Sequence, residues 1–190
     1  MDKKKKSQAS YLAITLSLLI GFIGGVVFSA YRIPDIVSQI PANQQQAATT
    51  DEQIARHIKH LKENALANEN DSEAWTKLAH AYFEANAFEE AIEAYLKVLE
   101  ITPDNSPVYT DLGVMYRRSQ EPEKAIDAFE KALEIDPSNL HAQFNIGIVL
   151  WHDLGNKNGA IESWEKVAEL NPDYQISTGQ TIVELLQNAN

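Results

Sequence analysis

The chain has 190 residues and no cysteine, which excludes disulfides, thiolate metal sites and thioether haem attachment. Its net charge of -11 is unevenly spread: residues 1–50 hold five of the 16 basic and two of the 27 acidic side chains. The remaining residues therefore carry 11 basic against 25 acidic groups, a surface that nucleic acid would repel.

Residues 1–10 form a basic N-terminus with Lys3, Lys4, Lys5 and Lys6. Residues 11–31 follow as an apolar run, and its 20 residues from Tyr11 to Ala30, at about 1.5 Å each, match a hydrocarbon core of about 30 Å. A single-pass transmembrane helix in contact with the lipid bilayer is expected here, with Tyr11 and Tyr31 at its interfaces. The lysines before it, against Arg32 and Asp35 after it, place the N-terminus in the cytoplasm. The rest of the chain then lies outside the cytoplasm, in the periplasm of a Gram-negative inner membrane. Cleavage after Ser29 is the competing reading, but the run exceeds the length of a typical signal-peptide core. Ser17, Gly21, Gly25 and Ser29 recur every four residues and make one small-residue stripe, a packing face for a second copy or another subunit.

Residues 32–51 contain Pro34 and Pro41 and then a Gln, Ala and Thr run with no apolar period, which predicts a flexible linker. From residue 52 to 68, Ile54, Ile58, Leu61, Ala65 and Leu66 follow a helical period and predict a leading helix.

The strongest signal is internal repetition. Trp75, Tyr109 and Gln143; Leu78, Leu112 and Ile146; Ala79, Gly113 and Gly147; Tyr82, Tyr116 and Leu150 recur at a step of 34. So do Ala91, Ala125 and Ala160; Tyr95, Phe129 and Trp164; Val98, Ala132 and Val167; Pro103, Pro137 and Pro172, with one extra residue in the third unit. Small residues stand where two helices approach closely, aromatic ones fill the adjoining space, and each proline ends an apolar-periodic run. The repeats are 72–105, 106–139 and 140–174, each a helical pair: 72–85 and 88–100, 106–119 and 122–134, 140–153 and 157–170. The insertion falls in the turn between Asp153 and Gly159. A helix over about 178–188, with Ile182, Val183, Leu185 and Leu186, is expected to cover the far end, because terminal units have no neighbour to bury their faces.

These columns resemble the tetratricopeptide repeat. The resemblance implies an all-α solenoid of three units with leading and C-terminal capping helices, the domain being 52–190, behind the transmembrane helix. It further implies a concave groove lined by the second, fifth, ninth and twelfth positions of each unit. Those positions are Glu73, Thr76, His80 and Phe83; Pro107, Thr110, Val114 and Arg117; His141, Phe144, Ile148 and Trp151, with Arg118 and His152 at the rim. Such an apolar stripe predicts a protein or peptide client, unless the capping helices bury it. Arg117 and Arg118 are placed to take a carboxylate of that client, or else pair with Glu121, Glu123 or Asp153. Repeats that bind chaperone tails use Lys at the fifth and Asn at the ninth position of one unit, where this chain has Thr76 and His80.

The stretch 52–172, including DSEAWTKLAHAYFEANAFEEAIEAYLKVLEITPDN, also resembles the membrane-linked repeat proteins of bacterial cytochrome c biogenesis. That likeness implies a periplasmic groove holding the C-terminal segment of an apocytochrome. The expected function is thus a membrane-anchored adaptor or assembly factor. The alternative is a structural subunit held in a membrane complex by the transmembrane stripe and the outer face of the domain.

No enzymatic activity is expected and no cofactor or metal. His57 and His60 lie three apart on the leading helix without a third ligand, and no nucleophile with a positioned base or phosphate loop is apparent.

Overall fold

The computed structural model describes the backbone of residues 42–189 and the side chains of residues 51–189. Among the described residues eight helices follow one another: α1 (Ala42–Ala67), α2 (Ser72–Glu84), α3 (Phe88–Ile101), α4 (Ser106–Arg118), α5 (Pro122–Ile135), α6 (Leu140–His152), α7 (Lys157–Leu170) and α8 (Ile182–Ala189). The expected transmembrane helix, with Ser17, Gly21, Gly25 and Ser29, lies outside the described residues. Among the described residues no helix is long and apolar enough to cross a membrane.

Gln53–Asn190 form a compact unit in which α2/α3, α4/α5 and α6/α7 are the three antiparallel pairs. Each first helix starts on a side-chain cap, and the caps themselves repeat. Asp71 Oδ1 accepts from the amides of Glu73 and Ala74, Asn105 Oδ1 from Val108 and Asn139 Oδ1 from Ala142. Each cap satisfies amides that have no partner inside the helix. The turns within the pairs repeat as well: Asn86, Gln120 and Gly155 have φ of 57°, 62° and 66°. This left-handed residue reverses the chain, after which the Ala87 and Glu121 amides donate to the carbonyls of Tyr82 and Tyr116. In the third unit the corresponding bond runs from the Asn156 amide to the Leu150 carbonyl, one residue wider, so the insertion is absorbed in the turn around Gly155.

The core follows the sequence columns. Ala79, Ala91, Tyr95 and Val98 are buried in the first unit; Leu112, Ala125, Phe129 and Ala132 in the second; Ala160, Trp164 and Val167 in the third. Each aromatic ring occupies the space that a small residue on the facing helix leaves open. A Cβ on Gly113 would stand 2.5 Å from the Phe129 ring, and one on Gly147 would collide with Trp164.

Two ends differ from expectation. Residues 42–51, expected as part of a flexible linker, are helical, and α1 starts at Ala42. Alanine and glutamine are good helix formers, so the segment needs no apolar stripe to extend the helix. The C-terminal helix begins at Ile182 rather than near Thr178. A tight turn precedes it, closed by an isolated bridge between Gln175 and Thr181 and by Ile176 N–H donating to the Gln180 carbonyl, with Gly179 at φ 82°. Thr181 then caps α8 reciprocally: its amide donates to Glu184 Oε2 and its Oγ1 accepts from the Glu184 amide. This Thr-x-x-Glu capping box dictates the later start.

Candidate peptide-binding groove

The first helices α2, α4 and α6 carry the expected groove residues, and the three units treat them differently. In the first unit Thr76 turns its hydroxyl back on its own helix, donating to the Ser72 carbonyl at 2.8 Å. His80 is exposed, and Phe83 is 39% exposed with its ring 6.4 Å from that of Phe88.

In the second unit Thr110 is buried, contrary to its assignment as a contact residue. It belongs to a polar staple between units. Asn139 Nδ2 donates to Thr110 Oγ1 at 2.9 Å and Ser106 Oγ at 2.8 Å, while Ser106 Oγ donates to the Ala132 carbonyl. Its fifth-position side chain points at the next unit, where the cap of α6 satisfies it. Val114 is half-buried. Arg117 is taken up by Asp153, with Nε 2.5 Å from Oδ2 and a second nitrogen 3.4 Å from Oδ1. Its fork therefore already holds a carboxylate of its own chain. Arg118 is exposed beside it.

In the third unit the C-terminal segment covers much of the stripe. The Tyr174 hydroxyl lies 3.0 Å from His141 Nδ1, and its ring lies 5.6 Å from that of Phe144. Phe144 stacks on Trp164 at 6.2 Å, and Trp151 packs on the same indole at 5.5 Å. Phe144, Ile148 and Trp151 are consequently half-buried, and a cavity of about 340 Å³ remains between them and Ile176, Leu185 and Ala189. Burial of these residues by the C-terminal cap answers the apolar pattern at this end. Of the apolar groove residues it is Phe83, at the other end, that is exposed rather than half-buried.

There α2, α3 and α4 enclose a second cavity, of about 290 Å³, lined by His80, Phe83, Glu84, Tyr95, Asp111 and Val114, with Met115 behind. Asp111 lies off the expected pattern, one residue after Thr110, on the flank of α4 that faces the preceding unit. Its Oδ2 is 3.7 Å from His80 Nε2, and the buried Tyr95 borders the same cavity. Burial holds the Asp111 carboxyl above its ordinary value, opposed by the nearby His80 and Tyr95. Burial, then the negative charge of Asp111, pushes the Tyr95 phenol well above its ordinary value, so it stays neutral. Periodicity along one helix could not pair Asp111 with Tyr95, because they meet only across units. Among the described residues no three His, Cys, Asp or Glu side chains gather as metal ligands.

A series of three stacked helical pairs defines a repeat-solenoid domain. Models of the tetratricopeptide repeat match residues 70–138 and 110–175, together more than half of the 190 residues, and the chain belongs to this family. Two crystal structures of MamA share the fold: one at 24% identity and TM-score 0.60 over 71% of this chain and 77% of that one, the other at 23% and 0.61 over 76% and 77%. The first repeat domain of Spaghetti (RPAP3), solved bound to the HSP90 peptide SRMEEVD, aligns at 21% identity and TM-score 0.55, over 62% of this chain and 89% of that one. The Sgt2 repeat domain from Aspergillus fumigatus aligns at 24% and 0.53, over 62% and 76%. No curated protein matches the sequence significantly.

Proposed function

We propose that this protein is a membrane-anchored adaptor or assembly factor, not an enzyme, that holds an extended segment of a client protein in its groove. The carrying observation is the cavity between the first two units, where Phe83 remains exposed beside Val114. An exposed aromatic ring at a concave site is a natural anchor for a partner side chain. The complex of the RPAP3 domain with a peptide supports such a use of this fold. On this reading residues 11–31 anchor the chain in an inner membrane with the N-terminus cytoplasmic, and the repeat domain works in the periplasm. The resemblance to cytochrome c biogenesis proteins makes the C-terminal segment of an apocytochrome the client to test first.

A photo-reactive amino acid at position 114 of the full chain, in living cells, tests the groove. Crosslinks to an extended client segment are expected, and Phe83→Ala should remove most of them while leaving the helical circular dichroism intact. Crosslinks indifferent to Phe83→Ala, together with a complex dispersed by Gly21→Leu and Gly25→Leu, would instead establish the structural-subunit alternative.

A further inference from the structure

We propose that the cavity between the first two units takes a cationic side chain, lysine or arginine, next to an apolar residue of the client segment, with Asp111 facing the cation and Phe83 the apolar neighbour. The proposal rests on the groove reading above and specifies its ligand chemistry.

The charged groups that line this cavity are Asp111 and Glu84, with His80 as the basic one. A carboxylate offers about four acceptor positions. His80 Nε2, at 3.7 Å from Asp111 Oδ2, lies beyond hydrogen-bond distance and uses none of them. Acceptor capacity is left over at a half-buried position, where an ion pair is screened less than on open surface. Phe83 and Val114 stand on the same cavity wall and would cover the aliphatic stem of a lysine or arginine as well as its apolar neighbour.

An acidic segment fits poorly. It would bring its carboxylates against Asp111 and Glu84, and of the two arginines that end α4 the one assigned to the groove, Arg117, is already held side-on by Asp153. The long-range field has the same sign, since residues beyond 50 carry 11 basic against 25 acidic groups. Such a surplus raises the encounter rate of cationic partners.

The test uses the full chain in detergent and fluorescent, end-blocked decapeptide pools with an apolar residue fixed at one central position and Lys, Arg, Gln or Glu fixed at the next. Lys and Arg pools should bind about tenfold more tightly than Glu pools, with Gln pools between. Asp111→Asn should bring Lys and Gln pools close to parity while leaving Gln-pool affinity unchanged and the domain folded. Equal binding of all pools, or a preference that survives Asp111→Asn combined with Glu84→Gln, overturns the cationic assignment and leaves the groove in place. Binding of no pool, or binding that Phe83→Ala does not weaken, overturns the groove reading itself.

Discussion

The indole of Trp164 lies flat against the backbone of Gly147, with no room for a Cβ between them. Ala79 and Tyr95 hold the same two positions in the first unit, where a methyl group is accommodated, whereas Gly113 against Phe129 leaves no more room than Gly147 does. Gly147→Ala should therefore destabilise the domain by about 1–3 kcal/mol despite alanine's better helix propensity. Urea unfolding followed by circular dichroism measures the loss, and a stabilised variant would show that α6 and α7 are free to shift.

Asn139 serves two units at once, capping α6 with its oxygen and bridging Ser106 and Thr110 with its nitrogen. Asn139→Ala removes both functions and should cost about 2–3 kcal/mol, whereas Asn139→Asp keeps the cap and should cost about 1–2 kcal/mol. Equal losses in the same unfolding assay would mean that the cap contributes nothing, and an unchanged Asn139→Asp that the bridging bonds contribute nothing.

Gln120 adopts the left-handed backbone that Gly155 adopts in the next turn. A side chain is strained there, while glycine is not, though glycine also gives the unfolded chain more freedom. Gln120→Gly should gain up to about 1 kcal/mol, with Gln120→Ala close to neutral. The thermal midpoint of each variant checks the ordering.

The sign of the Asp111 effect follows from its raised carboxyl value, whose leading cause is burial. Between the ordinary value of 3.8 and the folded one, the folded state binds more protons than the unfolded state, so stability falls as pH rises through that window. Above it the full penalty of a half-buried charge is present. Asp111→Asn should therefore be more stable than the parent at neutral pH, with the gap closing on acidification below the folded value. Chemical denaturation across pH 3–8 (roughly the range in which carboxylates change state) reads this, and a gap that widens in acid would contradict it.

Fold class and helix limits were legible in the residues because their causes are local. Proline ends a helix wherever it falls, and small and aromatic residues at a step of 34 must meet if the units stack. The periodic caps at Asp71, Asn105 and Asn139 were equally open to inspection, as was the Thr181-x-x-Glu184 box that delays α8. The helical start of residues 42–51 was harder to see, since a polar run of helix formers lacks the apolar period that marks an amphipathic helix.

What the amino-acid order determined by itself is thus the solenoid and the face of each first helix that turns inward, for both depend on spacing along one segment. Which inward residues stay open was decided only by the tertiary structure. Phe83 and Phe144 hold equally promising places in the sequence, yet Tyr174 packs on Phe144, and the Phe83 ring stays exposed. Arg117 lost its fork to a residue 36 positions away, and Asp111 acquired Tyr95 and His80 from the neighbouring unit. Burial and charge pairing are set by elements distant along the chain, and a helical period carries no information about them.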